Sequence, residues 1–319
     1  MQLAQIILLT ACALAAFDHT GRIVGVAVNG TAKGTPLANA EVVLRVADNG
    51  SFLPIAETTT DAMGRFTIGG LPVDGSVLYL PGVNHHGVHY PGERIQLRPG
   101  RAAAEVRLVA YDAVESPSPL VSPRHELHVR PASEYLEVEE TLIIDNPSLT
   151  TYVGQEPKES EKSSPVTLRL SLPDGLDKVT FEKEFHGRNF WLNDGILMTS
   201  IPFRPGTQEF KFSYRLPAEI RQVFGRHLDR PTSHVIVRVT AKDPRGIECN
   251  LGSANETTAG QIVFEQRATD RPFPTGYAVE LQLGSPPISF TVYARWLAGG
   301  LLAVMMVGTF HVIRLSRSH

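Results

Sequence analysis

Cysteine is almost missing from this chain: 319 residues contain two, Cys12 and Cys249. Cys12 falls in an apolar N-terminal stretch that reads as an export signal, which would leave Cys249 single. That excludes an intramolecular disulfide framework and any cysteine-based zinc site. An excess of one charge is also missing. Lys and Arg total 30 against 33 Asp and Glu, for a net charge of −3, so no basic face points to nucleic acid. Catalytic signatures are missing too. None of the 11 histidines has Glu three residues later, so the H-x-x-E pair of a zinc peptidase does not occur. There is no G-x-S-x-G nucleophile elbow, no Gly-rich phosphate loop and no dinucleotide fingerprint. No cofactor is expected. Long helical periodicities are scarce, and long apolar runs occur only at the two ends.

What is present in quantity is turn chemistry, with 23 Pro and 27 Gly. Between these lie short alternating segments, which together predict strands joined by turns. The reading is all-β: two β-sandwich regions in series, Ig-like or transthyretin-like, plus one C-terminal transmembrane helix. The boundaries are a signal peptide at 1–16, a first sandwich at 17–112, a Pro/Ser linker at 113–123, a second sandwich domain at 124–290 and the helix at 294–315.

The ends set the expected location. Residues 296–313 (WLAGGLLAVMMVGTFHVI) carry no formal charge. At about 1.5 Å per residue a helix of that length spans roughly 27 Å, close to a bilayer's hydrocarbon core. Tyr293, Arg295 and Trp296 flank one end, and Arg314 and Arg317 the other, as interface anchors do. The first stretch, MQLAQIILLTACALAA, suits a cleaved signal with an A-x-A-like site at 13–15. Its LTAC segment also fits a lipobox with Cys12 as the acylated residue, and no Lys or Arg precedes the apolar run under either reading. A signal followed by a late anchor predicts a single-pass cell-membrane protein, its N-terminal bulk extracytoplasmic (periplasmic or at the cell surface) and its cytoplasmic tail short. The sequons at Asn29, Asn49 and Asn255 add little in the bacterial setting this suggests.

In the first domain, GRIVGVAV (21–28), GTPLANAEVVL (34–44) and TDAMGRFTIGGL (60–71) occur in that order. Asp61 can bond the backbone of its own turn, Gly64 can supply positive φ, and Phe66 and Ile68 share a strand face. These fragments resemble the carboxypeptidase regulatory-like domain, a transthyretin-like sandwich also grouped with carbohydrate-binding-like folds. The resemblance implies a module common on secreted and surface proteins, here without its peptidase. Its matched residues are turn glycines and core apolars, so no catalytic residue carries over.

One polar cluster stands out, NHHGVHY (84–90). His85, His86, His89 and Tyr90 are the candidate ligand-binding residues. With Tyr79, they could form a stacking and hydrogen-bonding rim for a sugar. Three imidazoles within five residues also offer an alternative, a periplasmic metal-handling or redox-accessory role. In a strand, His86 and His89 face opposite ways unless a turn at Gly87 brings them together. The plainest reading is an exposed loop between two strands with Tyr90 packing inward.

The second domain offers less chemistry. Glu137, Glu139 and Glu140 read as a solvated strand face, QEPKESEKSS (155–164) as a solvated loop, and Cys249 as a small buried side chain. The segments YDA (111–113), HELHV (125–129), LSLPDG (170–175) and PGTQEFKFSYRLP (205–217) resemble bacterial extracytoplasmic proteins that join such a module to a β domain and one C-terminal helix. The functional expectation is a non-catalytic, membrane-anchored protein whose sandwiches bind or support. The membrane and a carbohydrate or envelope protein are its partners, and nucleic acid is not.

Overall fold

A computed structural model describes residues 20–48, 51–155, 165–182, 189–217, 223–241, 246–257, 260–283 and 298. The expected signal peptide lies outside these residues, and so does the expected membrane helix apart from Ala298. Among the described residues no helix is long and apolar enough to cross a membrane. Apart from Ala298, they form strands, turns and connections, so the described chain is all-β. It divides into two compact units, Met1–Ala113 and Val114–His319.

The described residues of the first unit form two sheets. Strand Thr20–Asn29 is central in one of them. It pairs antiparallel with Arg65–Pro72 and the short Thr35–Pro36, and parallel with Ala103–Ala110. The other sheet runs Ser51–Thr59, Glu41–Asp48, Tyr79–His85, Val88–Pro91, antiparallel throughout. Alternation along the strands decides what each buries. Phe66 and Ile68 are buried while Arg65 and Thr67 are exposed, and Val106, Leu108 and Ala110 are buried on every second position. Ile23, Val42, Leu44, Tyr79 and Val83 have no solvent exposure and fill the core of this unit.

The turn at 60–65 explains its own sequence. Asp61 Oδ1 accepts the Met63 and Arg65 amides at 2.8 Å each, and Gly64, at φ +74°, closes the turn. Strand Ser51–Thr59 was not marked by clean alternation. It is an edge strand with no fully buried residue, its side chains exposed or half-buried, and Pro54 lies beside a register shift, where a missing donor is tolerated.

In the second unit a seven-stranded sheet runs Thr180–Phe181, Gly206–Pro217, Tyr135–Asn146, Val121–Pro131, His234–Thr240, Gln261–Arg267, Asn255–Thr257. Its one parallel pairing joins Val121–Pro131 to His234–Thr240. Two three-stranded sheets accompany it. One contains Leu168–Ser171, Ile196–Thr199 and Phe190–Asn193. The other contains Val223–His227, Ala278–Gln282 and Glu248–Cys249. Leu127, Val138, Phe210 and Phe212 from the large sheet share one apolar cluster with Leu170, Leu197, Phe224 and Leu281 from the small ones. The described part of this unit therefore closes around a single core. Each such side chain contributes about 1.5–3 kcal/mol when fully buried.

Candidate functional site

Strands Tyr79–His85 and Val88–Pro91 pair with His85 opposite Val88, so the connection is the two residues His86 and Gly87. Both have positive φ, +47° and +75°. Two positive φ values in a two-residue loop make a type I′ turn, whose twist matches the flanking strands. Glycine takes that conformation freely. Histidine does so more readily than most residues, and His86 occupies the other position.

The parallel strand Ala103–Ala110 delivers the third member. Ala110 pairs with Asn29, and beyond it Asp112 is fixed from the turn after Thr20–Asn29. Its amide donates to Thr31 Oγ1 at 2.9 Å, and its Oδ1 accepts Asn29 Nδ2 at 2.8 Å. The same Oδ1 accepts from His85 Nε2 at 2.8 Å. His86 Nδ1 lies 3.8 Å from it and takes only a long bond, 3.5 Å, from the Ala113 amide. The two imidazoles stack, with centroids 4.0 Å apart and planes 17° from parallel. The His85 hydrogen bond is the main influence holding the Asp112 carboxyl below the usual carboxylate range. His85, His86 and Asp112 thus present one possible ligand atom each within 4.8 Å of one another.

The structure separates the four residues marked in the sequence. His85 and His86 come together. His89 sits opposite Asn84 in the hairpin, so it points to the other sheet face from His85. There its Nδ1 donates to Asn84 Oδ1 at 2.7 Å, and burial pushes its pKa down. Tyr90 is 1% exposed, and its hydroxyl donates to the Tyr111 carbonyl at 2.7 Å. Tyr79 is fully buried and donates to the Pro72 carbonyl at 3.0 Å. Neither ring is placed to stack on a sugar, because both serve the core. Asp112 was missed. Its only sequence signal is a carboxylate just after a strand, and the strand pairing that brings it to the hairpin is non-local.

The second unit holds a different cluster, sealed from solvent. The sequence reading placed Glu140 with Glu137 and Glu139 on a solvated face. The structure corrects this. Glu140 lies one position out of phase with them, shares the face of Leu136, Val138, Leu142 and Ile144, and is fully buried. It accepts Tyr214 Oη–H at 2.7 Å and Arg226 Nε–H at 2.9 Å on one oxygen, and His125 Nε2 at 2.8 Å on the other. Arg226, also buried, donates to the carbonyls of Ser171 at 2.8 Å and of His227, and lies 2.9 Å from Asp229. Asp229 in turn accepts the Ser171 amide at 2.7 Å. The network ties the large sheet to both small ones. Burial alone would raise the Glu140 pKa, but Arg226 and His125 overcome it and hold the carboxyl well below the usual range. Burial and the neighbouring Glu140 charge push the Tyr214 phenol well above its usual range.

A pH profile follows from those two directions. A lowered carboxyl contributes stability that is present above the unfolded glutamate pKa, about 4.3, and is lost as pH falls below it. A raised phenol contributes stability that is present below about pH 10 and lost at higher pH. Urea unfolding of the second unit is expected to show a plateau between those limits and to weaken on both sides. A Glu140→Gln change should flatten the acid limb, and an unchanged acid limb in that variant would remove Glu140 as its source.

No protein-family model and no curated protein matches the chain. Among solved structures, aminopeptidase A of Legionella pneumophila, solved with aspartic acid, aligns over 53% of this chain and 22% of its own length, at 13% identity and a TM-score of 0.33. This chain therefore spans under a quarter of that one. The full-length major pilin SpaD of Corynebacterium diphtheriae aligns over 85% of this chain and 88% of its own, at 11% identity and a TM-score of 0.24. Both likenesses are too weak to assign a family or a function, and what stands is that the described residues, apart from Ala298, are all-β, with a buried apolar core in each of the two units.

Proposed function

We propose that this chain is a non-catalytic, membrane-anchored extracytoplasmic protein whose two β-sandwich units present binding or structural surfaces. In this reading the first unit is a carboxypeptidase regulatory-like module, and the partner is a carbohydrate or an envelope protein. The observation that supports the non-catalytic reading is where, among the described residues, the strongly perturbed ionisable groups sit. Glu140, Arg226 and Tyr214 are at most 1% exposed and are bonded to one another under the sheet, where no substrate reaches them. Perturbed groups in an enzyme face a cleft. The anchor reading rests on residues 296–313 and their flanking aromatic and cationic residues.

The test is fractionation of cells expressing the full chain, with protease added from outside the membrane. The chain should stay with membranes through alkaline extraction and lose its N-terminal bulk to the protease. Recovery in the soluble fraction, or protection of that bulk, would overturn the location. Binding is read by thermal shift of the purified chain against cell-wall and exopolysaccharide sugars, with chelator present. A ligand at a hundredfold excess over its Kd stabilises by about 2.7 kcal/mol. A sugar-specific shift supports a carbohydrate partner. If no sugar shifts the transition, the carbohydrate arm fails, and crosslinking in membranes decides whether an envelope protein takes its place.

A further inference from the structure

The geometry points to a metal site at the hairpin end of the first unit: His85, His86 and Asp112 together bind one borderline divalent transition ion, Cu²⁺ or Zn²⁺. This goes beyond the binding reading above and does not depend on it. The three residues come from two segments that the fold, not the sequence, makes neighbours. Their candidate ligand atoms are His85 Nε2, His86 Nδ1 and an Asp112 carboxylate oxygen. From the carboxylate oxygen the nitrogens lie 2.8 and 3.8 Å away, and the whole set fits within 4.8 Å. Ligands about 2.0–2.1 Å from a tetrahedral ion are separated by roughly 3.4 Å, so these distances bracket what an ion needs once the stacked imidazoles, 4.0 Å apart, turn their ring planes toward it.

Two further features favour a ligand set over a simple His–Asp contact. First, the carboxylate is already held in place, in part through the same Oδ1 that faces His85. Asn29 donates to it at 2.8 Å, and Thr31 holds the Asp112 amide at 2.9 Å, the outer support that metal-binding carboxylates carry. Second, His86 Nδ1 has no strong commitment. Among the described residues its one bond, from the Ala113 amide, is 3.5 Å long. The side chains of His86 and Asp112 are 55% and 36% exposed, so water can fill the remaining positions, as in an open site rather than a closed structural one. Two imidazoles and one carboxylate suit copper and zinc over magnesium and calcium, and copper should bind tighter than zinc. Binding removes the proton that His85 Nε2 now donates to Asp112, so this imidazole shifts its proton to Nδ1 and any charged imidazole releases one to solvent.

The experiment titrates the purified full chain, stripped with chelator, with Cu²⁺, Zn²⁺ and Mg²⁺ separately, by calorimetry and by elemental analysis after desalting. One Cu²⁺ per chain is expected, with Zn²⁺ weaker and Mg²⁺ silent. The electron paramagnetic resonance spectrum of the copper form should show coupling to two imidazole nitrogens. His86→Asn keeps a residue type that accepts positive φ and lies on the exposed turn, so it should fold normally and weaken copper binding by about 10–100-fold or more. His85→Gln and Asp112→Asn should do the same, and His89→Gln should not. The proposal is overturned if no ion is retained at one per chain, or if binding survives in His86→Asn and Asp112→Asn. It also fails if His89→Gln matches their effect, or if Mg²⁺ competes as well as Zn²⁺.

Discussion

Arg226→Met is expected to lower the unfolding free energy of the second unit by about 3–5 kcal/mol, the cost of removing one partner from a buried ion pair. For a unit of this size that corresponds to a fall in Tm of roughly 6–20 °C. The reason lies in what remains. Glu140 would keep its charge and its bonds from Tyr214 and His125, but lose the guanidinium that offsets its burial. Asp229 and the Ser171 carbonyl would lose their Arg226 contacts at the same time. Arg226→Lys should rescue little, since one ammonium cannot reproduce a fork that reaches Glu140, Ser171, His227 and Asp229 together. Adding Glu140→Gln to Arg226→Met should recover part of the loss, because the orphaned charge is then gone. Urea unfolding of the four variants, followed by far-UV circular dichroism, gives the coupling directly. A single change costing less than about 1 kcal/mol, with the double change simply additive, would mean that the network does not act as a unit.

Gly64→Ala should be a costly small substitution in the first unit. Gly64 sits at φ +74°, and an added Cβ would lie 2.5 Å from the Ala27 carbonyl oxygen and 3.2 Å from the Leu37 amide nitrogen. Neither neighbour can move freely. Ala27 donates to the Gly64 carbonyl at 2.8 Å and accepts from Leu37 at 3.0 Å, so the turn is docked on the central strand through backbone alone. The left-handed backbone costs an alanine about 1–2 kcal/mol before any steric clash. Gly70→Ala is the control, because Gly70 has the same φ, +74°, with nothing within 4 Å of its added Cβ. Thermal unfolding of the first unit should fall by at least roughly 5 °C more in Gly64→Ala than in Gly70→Ala. Equal effects would show that the close approach to Ala27 is loose and that only the backbone conformation matters.

These two sites differ in how far local pattern reveals them. The Gly64 turn is readable because its determinants are adjacent: Asp61 caps, Gly64 turns, and Phe66 and Ile68 follow with period two. Glu140 left a signal that was misread, since Leu136, Val138, Leu142 and Ile144 put it in the apolar register of its strand. Its partners left none. They lie 15, 74 and 86 residues away, at His125, Tyr214 and Arg226.

By itself the sequence determined the all-β character of the described chain, its strand faces and its tight turns. Backbone sterics, side-chain alternation and glycine's access to positive φ act over a few residues, and so they are written locally. Only the tertiary structure decided which polar groups meet. It brought Asp112 to His85 across 27 residues through a parallel strand and turned His89 to the opposite face. Those outcomes depend on which strands pair and in what register, and that is settled by the packing of whole sheets, where a shift of one residue exchanges one face for the other.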